Sequence, residues 1–197
     1  MKVIGITGGI GTGKSRVLEY MKTEFSAVVC QADEVAKKLQ QPGEECYGPI
    51  VEYFGKSILD KDEKIDRGRL GAIVFADRKK LTVLNQIVHP RVKNHILKEI
   101  EAERSAGTRL FVIEAALLIQ DHYDMICDEL WYIYANARVR RERLKKNRHY
   151  SDEKIDAILS AQDSEEIYRK GCKYVIDNSG FFEDTIRQIK DLGEQAE

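Results

Sequence analysis

The stretch that most constrains the fold is residues 2–24, where the apolar, β-branched run KVIGIT leads through TGGIGTGKS into RVLEYMKTE. The first run reads as a strand and the last as an amphipathic helix. Between them Gly8, Gly13, Lys14 and Ser15 fit G-x-x-x-x-G-K-[ST], with Gly9, Gly11 and Thr12 inside the motif. Bare glycine backbone lets successive N–H groups turn inward without a Cβ in the way, and the start of the following helix adds unpaired N–H groups and partial positive charge. Such a loop cradles phosphate oxygens, so the motif points to a nucleoside triphosphate. Lys14 would meet the β- and γ-phosphates, and the Ser15 hydroxyl would supply an oxygen for Mg2+. The competing reading is a glycine-rich turn that merely packs tightly. The loop alone does not say who receives the γ-phosphate.

Further strand-like runs occupy residues 27–31, 109–114, 129–134 and 173–177, each separated from the next by helix-like sequence. Several of them, such as LFVIEA and LWYIY, lack strict alternation, which suits strands covered on both faces. The expected fold is α/β, the three-layer architecture of P-loop nucleoside triphosphatases, with a five-stranded parallel sheet. Roughly 75 residues lie between the second and third strands, more than a crossover helix needs, so a helical insertion is expected at about 42–106. Within it residues 47–54 and 67–75 read as helices, Asp77 as the cap of a long helix over 78–104, and Pro90 as a bend or break near His89. A second insertion, about 137–165, starts with a basic segment and continues into a helix over 152–169 capped by Ser151.

At 197 residues the chain has room for a single main domain carrying these insertions. Lys and Arg total 32 against 33 Asp and Glu, so no overall charge draws it to nucleic acid or to an anionic membrane. The four cysteines are scattered without metal-ligand spacing and are expected as reduced thiols. Strand-like sequence begins at once, with no signal pattern and no long apolar run, so a cytoplasmic location is expected.

Transfer to an alcohol needs a carboxylate that orients the hydroxyl and takes its proton. Asp33 follows the second strand, at the end of the sheet where the loop is expected, and is either that base or the cap of a helix over 34–40. Glu114 ends the third strand and either holds a magnesium-bound water or makes a structural hydrogen bond. The segment 138–148 carries seven basic residues and Glu142. It reads as a lid whose arginine meets the transferring phosphoryl group, Arg143 ahead of Arg148, or as a solvated helix face, or as a strip touching RNA. A guanine-nucleotide switch would need N-K-x-D after a late strand, and the sequence has none.

These motifs, in this order, resemble the dephospho-coenzyme A kinase family: GITGGIGTGKS, Ala32-Asp33, FG at 54–55, DRGRL at 66–70, VF at 74–75, HP at 89–90, EAALL at 114–118, the basic segment, and VIDNSG at 175–180. The resemblance spans almost the whole chain. It implies transfer of the γ-phosphate of ATP to the 3′-hydroxyl of the ribose of dephospho-CoA, with Mg2+, and a helical substrate-binding region and a lid around a nucleotide core. It also implies that Asp33 is the base, that Arg67, His89 and Arg91 line the dephospho-CoA region, and that Asn178 lies on the ATP side; Arg16, directly after the phosphate-loop motif, is expected on the ATP side as well. No nucleic-acid or membrane partner is expected, and the chain is expected to act as a monomer or weak homo-oligomer. The chain departs from the family's usual residues at Gln31, Glu114, Ala116 and Gln120, where Asp, Asp, Pro and Glu are common, and at Arg16, where Thr is frequent.

Overall fold

The structure is a computed structural model that describes residues 1–194. Five parallel strands, β1 (Lys2–Thr7), β2 (Val28–Gln31), β3 (Leu110–Glu114), β4 (Glu129–Tyr134) and β5 (Tyr174–Asp177), form a sheet in the order β2-β3-β1-β4-β5. β1 is central, pairing in register with β3 (Ile6 opposite Glu114) and β4 (Thr7 opposite Tyr132). On one side the neighbour of β1 is β3, which carries Glu114, and β2, which precedes Asp33, lies one strand further out.

The chain divides into two compact units, residues 1–29 with 107–197, and residues 30–106. In the first, α1 (Lys14–Phe25) and α9 (Phe182–Glu194) cover the sheet, and Val17, Leu18, Met21 and Ile189 bury themselves against Ile4, Ile6, Trp131 and Ile133. Each such fully buried aliphatic or aromatic side chain contributes about 1.5–3 kcal/mol relative to an exposed one. At Gly5 a Cβ would lie 2.6 Å from Leu130 and 3.0 Å from Leu118, so β1 accepts no side chain there. The four cysteines are buried and none forms a disulfide among the described residues, and burial pushes the Cys172 thiol up to about 12.

The second unit is helical: α2 (Ala32–Leu39), α3 (Tyr47–Phe54), α4 (Arg67–Ala76) and α5 (Arg78–Ser105). Asp66 and Asp77 cap α4 and α5, each accepting two backbone N–H groups, as Asp does at an N-cap. α5 buries Val88, Val92, Ile96 and Ile100, a stripe at four-residue intervals that faces one side of the helix. It runs through Pro90 as one helix rather than splitting. The proline removes one intrahelical donor, which a helix of 28 residues anchored by that stripe tolerates.

The basic segment forms α6 (Ala137–Arg148), and Ser151 caps α7 (Asp152–Ser160) as expected. The single helix expected over 152–169 is instead two, because Ser164 starts α8 (Glu165–Gly171) and residues 161–164 form a turn. Ser164 takes the N-cap position of α8 in an extended conformation without a side-chain cap hydrogen bond, and Glu165 and Glu166 fill the first turn, where acidic residues suit the helix start.

Candidate active site

The loop between β1 and α1 folds so that its carbonyls are taken by donors. Lys14 Nζ donates to Gly8 O at 2.6 Å, and Thr12 Oγ1 donates to Gly9 O at 2.9 Å. Arg140 Nε donates to Ile10 O at 2.9 Å, and Thr12 O accepts from Arg143 Nη1 at 3.1 Å and from Asn178 Nδ2 at 2.7 Å. A trans peptide points its C=O and N–H in opposite directions, so each pinned carbonyl turns the next N–H the other way. The N–H groups of Gly11 and Gly13 have no acceptor among the described residues. Positive φ at Gly8 (151°), Gly11 (80°) and Gly13 (89°) makes this course accessible, a conformation that residues with a Cβ adopt at a cost.

A cleft of about 500 Å³ opens on this loop, lined by Gly11, Gly13, Lys14, Ser15, Arg16, Glu114, Arg143, Arg148 and Asn178 among others. Glu114 lies 3.8 Å from Lys14 Nζ. The Ser15 hydroxyl is exposed at the first turn of α1 with no hydrogen bond among the described residues. Burial lowers the Arg143 pKa, and the nearby Arg16 charge lowers it further. Neither arginine has a carboxylate partner among the described residues. Two cations held together without a counter-ion cost energy, and an anionic ligand repays it. The Arg16 guanidinium lies over the Phe182 ring, 3.9 Å from its centroid, which fixes its plane.

The arrangement brings together Gly8, Gly9, Gly11, Thr12, Gly13, Lys14, Ser15, Arg16, Glu114, Arg143, Arg148 and Asn178, all within one unit. Thr12 and Asn178 are buried in it as structural members. The Thr12 side chain bonds within the loop, and the Asn178 amide is held by Thr12 O and by the Thr185 hydroxyl at 2.9 Å. Arg148 is exposed, and its guanidinium lowers the pKa of the Tyr150 phenol.

Asp33, Arg67 and His89 belong to the helical unit. Asp33 sits in the first turn of α2, exposed, whereas the N-cap position is Gln31, so the alternative that Asp33 caps a helix beginning at Glu34 is removed. Arg67 opens α4, exposed, and His89 is partly buried on α5. Arg91 Nη1 donates to Ile87 O at 2.7 Å on the same helix. Sequence reasoning passed over Arg140 and Gln162 as loop contacts. Nothing local marks them, since each meets the loop across more than a hundred residues of chain.

A central parallel strand running into a G-x-x-x-x-G-K-S loop at the start of a helix, with an acidic residue ending the neighbouring strand, defines a protein of the P-loop class. The chain belongs to the dephospho-CoA kinase family, whose model matches residues 2–184. It is 38% identical over 189 residues to the dephospho-CoA kinase of Carboxydothermus hydrogenoformans, covering 96% of this chain and 91% of that one. It is 37% identical over 186 residues to that of Geobacillus kaustophilus, covering 94% and 92%. A solved dephospho-CoA kinase from Campylobacter jejuni shares the fold, with TM-score 0.73 at 24% identity over the full length of both chains.

Proposed function

We propose that the chain performs its family's reaction through the residues brought together above. It is an ATP-dependent kinase that transfers the γ-phosphate of ATP to the 3′-hydroxyl of the ribose of dephospho-CoA, giving CoA and ADP in the last step of coenzyme A biosynthesis. The observation that carries the assignment of the nucleotide seat is the loop with its carbonyls pinned and the N–H groups of Gly11 and Gly13 unclaimed, beside two arginines without counter-ions. Gly8 to Ser15 then hold the triphosphate, Lys14 takes the β- and γ-oxygens, and Arg16 and Arg143 balance charge as it spreads over the transferring group. Arg148 and Asn178 border the same cleft.

Asp33 is assigned as the base that accepts the proton of the acceptor hydroxyl while the new O–P bond forms and the bond to the ADP oxygen breaks. Its exposed place at the start of α2, away from a capping role, supports this. Arg67 and His89 are assigned to dephospho-CoA, in a substrate-binding region about 42–106, and about 137–165 is assigned as the lid. The free Ser15 hydroxyl and the Glu114 carboxylate in the same cleft fit Mg2+, a hard cation that uses few protein oxygens and keeps waters. Bound there with ATP, Mg2+ would neutralise phosphate charge; Ser15 would ligate it directly and Glu114 through water. No helix among the described residues is long and apolar enough to cross a membrane, and four buried cysteines outside any disulfide support a reducing, cytoplasmic setting.

The test is incubation of the purified chain with ATP, Mg2+ and dephospho-CoA, followed by mass spectrometry and phosphorus NMR of the product. Formation of ADP together with 3′-phosphorylated product is expected. ADP formation with the phosphate on another alcohol, or no transfer to dephospho-CoA, would overturn the acceptor.

A further inference from the structure

Arg140 has no part in the assignments above, yet it makes closer contact with the phosphate loop than any of the arginines they name. Its Nε donates to Ile10 O at 2.9 Å, and Nη2 donates to Gln162 Oε1. That same oxygen accepts the Ile10 N–H at 3.3 Å. Guanidinium and amide therefore grip both polar groups of one loop residue, closing a three-membered hydrogen-bonded ring. No carboxylate lies within 4 Å of the Arg140 guanidinium among the described residues; burial lowers its pKa, against the electrostatic influence of Tyr132, Tyr168, Glu165 and Tyr134.

A second observation comes from Gly9. Its φ is not in the left-handed region, so the backbone there does not call for glycine. A Cβ at Gly9 would instead sit 2.4 Å from Arg140 Nη2 and 2.7 Å from Gln162 Oε1. The glycine makes room for this pair. The consequence for ligand binding follows from peptide geometry: fixing Ile10 O toward Arg140 turns the Gly11 N–H to the opposite side of the trans peptide. The Gly11 N–H has no acceptor among the described residues, and Gly11 lines the cleft.

We propose that Arg140 and Gln162 form a positioning pair that sets the Ile10–Gly11 peptide in its phosphate-binding orientation before ATP arrives. Because Arg140 lies on α6 and Gln162 in the turn after α7, the pair also ties both ends of the α6–α7 segment to the loop. The inference rests on the nucleotide seat assigned above. Preorganisation of this kind lowers the ordering cost of binding, so its loss appears in affinity more than in chemistry.

The test compares wild type, Gln162→Ala, Gln162→Glu and Arg140→Met by calorimetric ATP binding without acceptor, by steady-state kinetics and by thermal unfolding. ATP binding by the wild type checks the seat itself, independently of the pair. Gln162→Ala is expected to raise Kd and KM for ATP about tenfold, the loss of roughly 1.4 kcal/mol, with kcat within about threefold and KM for dephospho-CoA unchanged. Gln162→Glu keeps an oxygen acceptor for both donors and is expected to bind ATP more tightly than Gln162→Ala. An unchanged ATP affinity in Gln162→Ala would overturn the proposal. So would a fall in kcat and melting temperature without a change in KM, which marks a merely structural role. Gln162→Glu binding as weakly as Gln162→Ala would also overturn it, since charge rather than orientation would then govern. If Arg140→Met fails to fold, the Gln162 variants still decide.

Discussion

Replacing Gly13 by alanine tests whether the loop depends on its contact with the segment after β5. Gly13 has φ 89° and ψ 22°, a left-handed conformation that costs a residue with a Cβ about 1–2 kcal/mol. The new Cβ would also lie 2.3 Å from Asn178 Nδ2, which real atoms do not do. The amide must then move, giving up its buried bonds to Thr12 O (2.7 Å) and from Thr185 (2.9 Å), each about 1 kcal/mol. The sum is about 3–4 kcal/mol. Gly107→Ala is the matching control, because Gly107 has φ 83° and nothing within 4 Å of a Cβ, so it should lose the backbone part alone. For a chain of this size each kcal/mol shifts the melting temperature by about 2–4 °C. Differential scanning calorimetry is therefore expected to show Gly13→Ala melting about 4–8 °C below Gly107→Ala. In an Asn178→Ala background the excess should vanish, since the two residues are coupled. Equal shifts in the two glycine variants, or an excess that persists without Asn178, would refute the reasoning.

Asp33→Asn is expected to leave ATP affinity within about twofold of wild type while lowering turnover about a hundredfold or more, read from calorimetry and initial rates. Ser15→Ala should raise the Mg2+ concentration for half-maximal rate about tenfold with little change in melting temperature, because its hydroxyl has no hydrogen bond among the described residues to lose. Burial raises the Glu129 pKa, but hydrogen bonds from Lys173, Lys2 and the Trp131 indole outweigh that and hold it below the usual carboxylate value. A lowered folded pKa contributes stability that is present above the unfolded pKa, about 4.3, and is lost as pH falls through the folded one. Denaturant unfolding of Glu129→Gln should show a loss of about 2 kcal/mol at pH 7 that shrinks below about pH 4, because the wild type has lost the same contribution there.

Much of this was legible in the sequence where one local signal dominated. β1 and β4 coincide with their apolar runs, α3 with its expected span, and Asp77 and Ser151 cap the helices they precede. The loop was legible because the glycines there serve backbone geometry directly, three of them at positive φ. Long-range partners were not. Asn178 meets Thr12 across 166 residues and Arg140 meets Ile10 across 130, and no spacing rule connects them. Gly9 shows the limit clearly: read from sequence it is bare backbone for a phosphate, and in the structure its missing Cβ makes room for Arg140 and Gln162. The break between α7 and α8 was hidden because Ser164 suits an N-cap as well as an exposed helix position.

The most direct measurement is a crystal structure with a non-hydrolysable ATP analogue, Mg2+ and dephospho-CoA bound together. Lys14 Nζ should have left Gly8 O for the β- and γ-oxygens, the Gly11 and Gly13 N–H groups should point at phosphate, and Asp33 should lie about 2.6–3.2 Å from the 3′-hydroxyl. A nucleotide bound away from residues 8–15, or a 3′-hydroxyl met by another group while Asp33 faces solvent, would contradict the account.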